Sequence, residues 1–401
     1  MNAHERALAL NGGPAVRQGV LPYGRQALDE ADVQAVAEVL RSDWLITGPA
    51  LDAFERSFVR AVGAREAVSF SNGTAALHGA MAALGVHPGD EVIVPPLTFA
   101  ASANCVVYQG GTPVFADVEP GTLLLDPARV APLIGPRTKA IVAVDYAGQP
   151  CDYGALGALA RDHGLALVAD ACHALGACEG GRPVGALAEL NTFSFHPVKH
   201  IACGEGGMVT TDDAQRAAAM RRFRNHGITT DHRQRERQGS WFYEMVELGF
   251  NYRLSDIQCA LGLSQLGKLQ AFVDRRRALA RRYGARLAGR AEVTPLRVRA
   301  GAEPSYHLYP VLLDLARLRV GREKVFAALR AEGVGVNVHY IPVDWHAYYQ
   351  ARGYRRGLCP VAEDAYERLL SLPLFPAMAD EDVDAVAAAL AKVAAAYGTG
   401  G

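Results

Sequence analysis

The sequence predicts an α/β fold: a three-layer αβα large domain on a mostly parallel seven-stranded sheet, followed by a smaller α+β domain at the C-terminal end. Three observations carry this reading. Between about residues 66 and 211, short apolar runs alternate with stretches of helical periodicity, the pattern of a parallel sheet covered on both faces. A basic, apolar-periodic pair of helices over 255–287 then breaks the rhythm. The chain has 401 residues, 50% hydrophobic and 21% charged, which is ordinary globular composition and length for one large and one smaller domain.

In chain order, 29–40 reads as a helix with Val33, Val36, Ala37 and Leu40 on one face, and 44–49 as a loop. A second amphipathic helix turns Leu51, Phe54, Phe58 and Val62 inward. The strands are read at 66–70, 91–95, 113–117, 140–144, 165–170, 191–195 and 208–211, with helices such as 75–84 and 153–163 between them. Helices at 255–269 and 273–287 lead out of the large domain, and the border is set at residue 265, giving domains 1–265 and 266–401. In the second, strands are expected near 306–313 and 334–340, helices near 322–332 and 359–371, and a closing helix over 383–397 that ends in a loose Gly-Thr-Gly-Gly.

A formal net charge of −1 gives no electrostatic case for nucleic acid or an anionic membrane. The seven cysteines are scattered and odd in number, with neither a disulfide framework nor paired zinc spacing, so reduced thiols and no metal are expected. No apolar run reaches the roughly 20 residues that span a bilayer. His4, Glu5 and Arg6 ahead of a short apolar patch are unlike a signal peptide. The expectation is a cytoplasmic protein.

The chemistry concentrates at strand ends. Thr192-Phe193-Ser194-Phe195-His196-Pro197-Val198-Lys199 runs into Cys203-Gly204-Glu205-Gly206-Gly207, fencing one lysine with apolar residues and glycines. A desolvated lysine becomes a usable amine nucleophile, as Schiff-base chemistry on pyridoxal phosphate (PLP) requires. The alternative is a solvated lysine at a strand end. Ser71-Asn72-Gly73-Thr74-Ala75 follows the first strand and opens a helix, whose free N–H groups suit a phosphate; taken alone, an ordinary N-cap by Asn72 or Thr74 is the commoner use of such a start. Asp170, ending a buried strand, needs a partner, and a pyridinium N–H would serve; the alternative is a helix cap. His173 is read as a contact to a cofactor ring or its hydroxyl, or as a satisfied core histidine. Phe99 is read as a stacking platform or as core. Asn251 and Arg253 precede a helix cap at Ser255 and are free for a ligand or a partner subunit.

In this order the motifs closely resemble the PLP-dependent sugar aminotransferases of the DegT/DnrJ/EryC1/StrS family, a branch of PLP-dependent transferase fold type I (aspartate aminotransferase-like). The resemblance covers residues 22 to about 376. It implies that Lys199 carries PLP covalently and moves the proton between substrate carbon and cofactor, which becomes pyridoxamine phosphate (PMP) in turnover. It implies that Asp170 holds the pyridine nitrogen and His173 lies near the cofactor hydroxyl. Gly73, Thr74, Ala75 and Ser194 would bind phosphate, and Phe99 would stack on the ring. Asn251 would reach the phosphate of the neighbouring subunit in a homodimer with shared sites. The family commonly has an acid just before the buried aspartate, where this chain has Ala169.

A finer resemblance, in Pro22-Tyr23-Gly24-Arg25-Gln26, Ser42-Asp43-Trp44, His196-Pro197-Val198-Lys199 and Asn337-Val338-His339-Tyr340-Ile341-Pro342-Val343, is to the pseudaminic acid branch. Those enzymes use L-glutamate to aminate C4 of UDP-2-acetamido-2,6-dideoxy-β-L-arabino-hexos-4-ulose. Tyr23, Arg253, His339 and Tyr340 would then meet the nucleotide sugar. Three rival readings differ at named features of the sequence. A sugar dehydratase of the same fold carries histidine in place of Lys199. A cysteine desulfurase would use Cys359. A PLP-binding regulator would carry an appended module, which this sequence lacks.

Overall fold

A computed structural model describes residues 1–399. Its centre is a seven-stranded sheet: β1 (Glu66–Phe70), β2 (Glu91–Val94), β3 (Thr112–Phe115), β4 (Thr138–Val144), β5 (Ala166–Asp170), β6 (Leu190–Ser194) and β7 (Gly207–Thr211). The spatial order is β1-β7-β6-β5-β4-β2-β3. Every neighbouring pair is parallel except that β7 runs antiparallel to both β1 and β6. Runs such as Ile141-Val142-Ala143-Val144 are buried along their length because helices cover both faces of the sheet. The polar residues that end the parallel strands therefore gather at one edge, where open α/β sheets bind ligands.

Helix α1 spans Glu30–Leu40 and α2 spans Pro49–Val62. The inward face expected for α2 is confirmed: Leu51, Phe54, Phe58 and Val62 are buried. Phe54 and Phe58 meet Phe193 and Phe195 edge to face at centroid distances of 5.0 to 5.6 Å, which locks the end of β6 on either side of Ser194. For α1 the expectation fails, because Val33 and Leu40 are exposed. The buried residue is Asp32, whose carboxylate accepts from Ser264 Oγ (2.6 Å) and Gln265 Nε2 (2.7 Å) and pairs with Lys268 (2.9 Å). A polar anchor, not an apolar stripe, fixes this helix.

Helix α3 (Gly73–Ala83) follows β1, and α4 (Ala101–Tyr108) follows β2. The expected helix pair is α5 (Asp256–Leu266), capped by Ser255, and α6 (Leu269–Leu287). Beyond it, α7 (Arg322–Ala331), α8 (Pro360–Arg368) and α9 (Asp380–Tyr397) surround an antiparallel sheet of β8 (Val293–Pro295), β9 (Tyr309–Leu313) and β10 (Leu369–Leu372). Three expectations are corrected. The helix read through 371 stops at Arg368, and Leu369-Leu370-Ser371-Leu372 pairs with β9 as a strand. The closing helix starts at Asp380, before residue 383. Residues 334–340 form no strand; they touch Leu21 and Ser371 through isolated bridges only. The end of the expected Gly-Thr-Gly-Gly tail, residues 400 and 401, lies outside the described residues.

Apolar packing crosses the proposed border at 265 in both directions. Leu8 and Leu21 pack into the second core with Val311 and Leu390, while Leu308, Val343 and Cys359 join the first. The buried Glu332 carboxylate accepts from the backbone N–H groups of Ala9 (2.8 Å) and Val16 (3.0 Å) and pairs with Lys392 (2.8 Å). This pins the N-terminal segment to the second core and delivers Tyr23 to the sheet edge.

Candidate active site

A cavity of about 780 Å³ opens at the carboxyl ends of the parallel strands. Gly73, Thr74, Ala75, Phe99, Asp170, His173, Ser194, Lys199, Tyr23, His339 and Tyr340 all line it, so the structure gathers in one place residues that the sequence spreads over more than 300 positions.

One wall is the start of α3. Asn72 caps the helix, its Oδ1 accepting from Ala75 N at 2.8 Å, so the capping reading holds. The cap leaves other N–H groups of the first turn without helical partners, so it does not compete with a phosphate there. The wall is built close. A Cβ on Gly73 would stand 2.8 Å from Ser194 Cβ, and one on Gly207 would collide with the Asn72 carbonyl. Only glycine lets β6, β7 and the α3 turn converge here.

Asp170 ends β5 and is 6% exposed. Its Oδ2 accepts from Ser102 Oγ at 2.5 Å, and its Oδ1 from Cys172 N at 3.2 Å. No helix begins there, only turns, so the capping alternative falls. Phe99 is 61% exposed at the cavity, so its core alternative falls too. His173 is buried; Tyr340 Oη lies 3.0 Å from its Nε2, while its Nδ1 has no partner. It is not a satisfied core histidine.

Lys199 faces the cavity from the loop after β6, with its Nζ 3.5 Å from His307 Nε2. Burial pushes the lysine below its ordinary value, against the opposing pull of the Asp170 carboxylate; burial also pushes the neighbouring Cys172 thiol up, which keeps it neutral. Burial likewise drives His173, His200 and His307 well below the usual imidazole range, and His339 to about 4. A lysine among neutral imidazoles is poised as a nucleophile. His339 is held by Ser371 Oγ at 2.8 Å and lies 5.2 Å from the Tyr23 ring, centroid to centroid.

Asn251 and Arg253 do not line the cavity of their own chain. Tyr252 between them does line it. Asn251 is exposed, and Arg253 donates to Asn225 Oδ1 at 2.7 Å. Sequence reasoning missed Ser102, His200 and His307. The only local signal for His307 was a polar Ser305-Tyr306-His307 run, hidden when the strand was started at 306 instead of Tyr309. Cys359 is fully buried away from the cavity, and burial pushes its thiol up, which removes the desulfurase reading. No cluster of side chains able to hold a metal ion is found among the described residues.

Residues 26–391 match the model of the DegT/DnrJ/EryC1/StrS aminotransferase family. The spore coat polysaccharide biosynthesis protein SpsC of Bacillus subtilis is 40% identical over 383 residues, 94% of this chain and 98% of SpsC. Among solved structures, a sugar aminotransferase of Streptococcus pneumoniae, Spr1654 in its PMP form, superposes with a TM-score of 0.88 at 30% identity, covering 93% of this chain and 99% of that one. Helicobacter pylori PseC, an aminotransferase of pseudaminic acid biosynthesis, gives a TM-score of 0.87 at 32% identity, with 93% and 99% covered. With the fold, the cavity and these likenesses in agreement, the chain belongs to the DegT/DnrJ/EryC1/StrS aminotransferase family.

Proposed function

We propose that this chain is a PLP-dependent aminotransferase that moves an amino group from L-glutamate to a nucleotide-linked 4-keto-6-deoxy sugar. The observation that carries the reading is the convergence on one cavity of the Gly73–Ser194 cradle, the buried Asp170 carboxylate and the desolvated Lys199. The residues fit the cofactor: the glycine-walled turn leaves room and N–H donors for a phosphate, and Asp170 lacks a cationic partner that a pyridinium would supply. When bound, PLP supplies the electron sink and carries the amino group between the two substrates.

The chain's own residues do the rest. Gly73, Thr74, Ala75 and Ser194 bind the phosphate; Phe99 covers the ring face; Asp170 holds the ring nitrogen protonated; His173 meets the ring hydroxyl. Lys199 would hold the cofactor through its amine and would move the proton at the substrate carbon. Tyr23, His339 and Tyr340, delivered by the N-terminal segment and the 337–340 loop, meet the sugar nucleotide. Asn251 and Arg253 serve the partner's cavity in a homodimer. In support, they do not line their own cavity and follow an exposed apolar segment in which Trp241 is 85% and Leu248 78% exposed. Unpaired cysteines, and the absence of any described helix long and apolar enough to cross a membrane, fit a cytoplasmic enzyme.

For the substrate we favour UDP-2-acetamido-2,6-dideoxy-β-L-arabino-hexos-4-ulose, aminated at C4 to UDP-4-amino-4,6-dideoxy-N-acetyl-β-L-altrosamine, on the motifs around Tyr23 and His339 and the likeness to PseC. A dTDP or GDP keto-sugar, or amination at C3, is the second reading; the dTDP form is supported by the likeness, at 35% identity and a TM-score of 0.87, to DesI, solved with its TDP-sugar product. The test supplies PLP-loaded protein with L-glutamate and a panel of nucleotide 3-keto and 4-keto sugars, with products read by mass spectrometry. Amination of the UDP 4-keto sugar at the highest kcat/KM is expected. Preference for another member overturns the substrate, and amination of none overturns the reaction.

A further inference from the structure

The chain commits unusual structure to one residue outside the roles assigned above. His307 lies on the segment between α6 and β9, and its backbone is gripped from three sides. Tyr306, just before it, is held at φ 51°, a left-handed conformation that strains a bulky residue. Gly148 backs the segment at φ 97°; a Cβ there would stand 2.7 Å from Tyr306 N, 2.8 Å from His307 N and 2.9 Å from His173 O. The fully buried Arg276 turns its guanidinium onto carbonyls, donating from Nη1 to Tyr306 O (3.2 Å), His307 O (3.2 Å) and Leu374 O (2.9 Å). Desolvating a guanidinium with no carboxylate partner is costly. Strain and buried charge both serve to fix the ring that reaches Lys199.

The hydrogen-bond inventory of that ring assigns its proton. A neutral imidazole carries one N–H and one bare nitrogen. His307 Nδ1 is buried without any partner. A proton there would be an orphaned buried donor, which folded proteins rarely tolerate. The proton therefore belongs on Nε2, which faces Lys199 Nζ at 3.5 Å, the outer limit of a hydrogen bond. An N–H facing an ammonium is a donor against donors; facing a free amine, it finds a lone pair.

We propose that His307 is a positioning residue for Lys199: its Nε2–H donates to the Nζ lone pair and holds the amine as a free base at the cavity whenever the lysine is not bonded to a cofactor. This rests on Lys199 being the reactive amine. Around it stand Asp170 and Cys172 at the end of β5, His173 just beyond, His200 next in chain, and His339 and Tyr340 on the 337–340 loop. Arg276 on α6 backs His307. The Asp170 carboxylate favours the ammonium, while burial keeps the Cys172 thiol neutral; the buried surroundings and the His307 donor oppose the ammonium.

Competitive labelling of the cofactor-free protein tests this without substrate or turnover. Trace acetic anhydride is applied across a pH series, and acetylation of Lys199 is compared with that of the other lysines by mass spectrometry. Two variants separate donor from scaffold. The amide nitrogen of His307→Gln falls where Nε2 stands, and that of His307→Asn where Nδ1 stands. Wild type and His307→Gln should label Lys199 with a midpoint below that of the surface lysines. His307→Asn should raise the midpoint by about one unit, a tenfold loss of labelling on the acid side. Equal midpoints in the two variants, whether both shifted or both unshifted, overturn the donor role. A wild-type Lys199 that titrates like a surface lysine overturns the free-base claim itself. Neither outcome depends on which sugar is aminated.

Discussion

Gly73→Ala probes the cradle most sharply, because its cost can be worked from distances. The added Cβ would lie 2.8 Å from Ser194 Cβ, 3.2 Å from its Oγ and 3.4 Å from its Cα. Carbon pairs rest at about 3.5–4.0 Å, so the first contact is short by at least about 0.7 Å. Ser194 cannot yield, because Phe193 and Phe195 are wedged against Phe54 and Phe58. Behind the turn, Gly207 already abuts the Asn72 carbonyl. The α3 turn must therefore lift off the sheet, at the roughly 1–3 kcal/mol typical of overpacking. Lifting moves the N–H groups that would meet a phosphate. PLP affinity should fall by about 10- to 100-fold, roughly 1.4–2.8 kcal/mol. The assay is titration of cofactor-free protein with PLP, followed by absorbance, with thermal melts alongside. Gly135→Ala, where a Cβ meets nothing within 4 Å, is the control. An affinity for the Gly73→Ala protein within threefold of wild type would refute the cradle.

Asp170→Asn should still bind PLP but lose about 10³-fold in turnover, since a charge pair near 4 Å is worth about 4 kcal/mol at an effective dielectric of 20; single-turnover kinetics yielding a loss under tenfold would leave Asp170 a structural carboxylate. Mixing Lys199→Ala with Asn251→Ala subunits should restore activity, because one site of each mixed dimer then carries neither lesion; if Asn251→Ala alone is impaired and co-refolding regains nothing, the shared site is wrong. Asp145 is fully buried, and burial pushes its carboxyl up to about 8. The folded state thus binds a proton that the unfolded state, titrating near 3.9, releases, and stability drains as pH rises from about 4 to about 8. Asp145→Asn should flatten that decline, read from urea midpoints at pH 5 and pH 8.5; an unchanged difference between the two pH values would show that Asp145 is ionised in the fold.

Much of the site was legible because its residues stand where apolar runs stop. Asp170 and Ser194 end buried strands, and Gly73 opens the helix after one, so local pattern and chemistry coincided. What pattern could not give were partners far along the chain. Ser102 reaches Asp170 across 68 residues, and His307 reaches Lys199 across 108. The α1 stripe misled because Val33 and Leu40 keep helical spacing, yet the helix is held by Asp32 against Ser264, Gln265 and Lys268. Residues 334–340 alternate Val334, Val336 and Val338 like a strand, but their pairing stops at one isolated bridge to Leu21 and one to Ser371 of β10, leaving a cavity-lining loop. Asn251 and Arg253 read as free for a ligand, and in the fold they do not line their own cavity.

Lys199 is the residue proposed to carry the cofactor. The chain has five lysines: Lys139, Lys199, Lys268, Lys324 and Lys392. Reducing the PLP-loaded protein with borohydride fixes any lysine–cofactor bond as a stable amine, and peptide mass mapping then finds the modified residue. We expect the adduct on Lys199 at close to one per chain, the other four lysines unmodified, and no adduct when L-glutamate is added first, because the cofactor then leaves the lysine as its amine. An adduct on another lysine, or on Lys199 regardless of L-glutamate, would contradict the account.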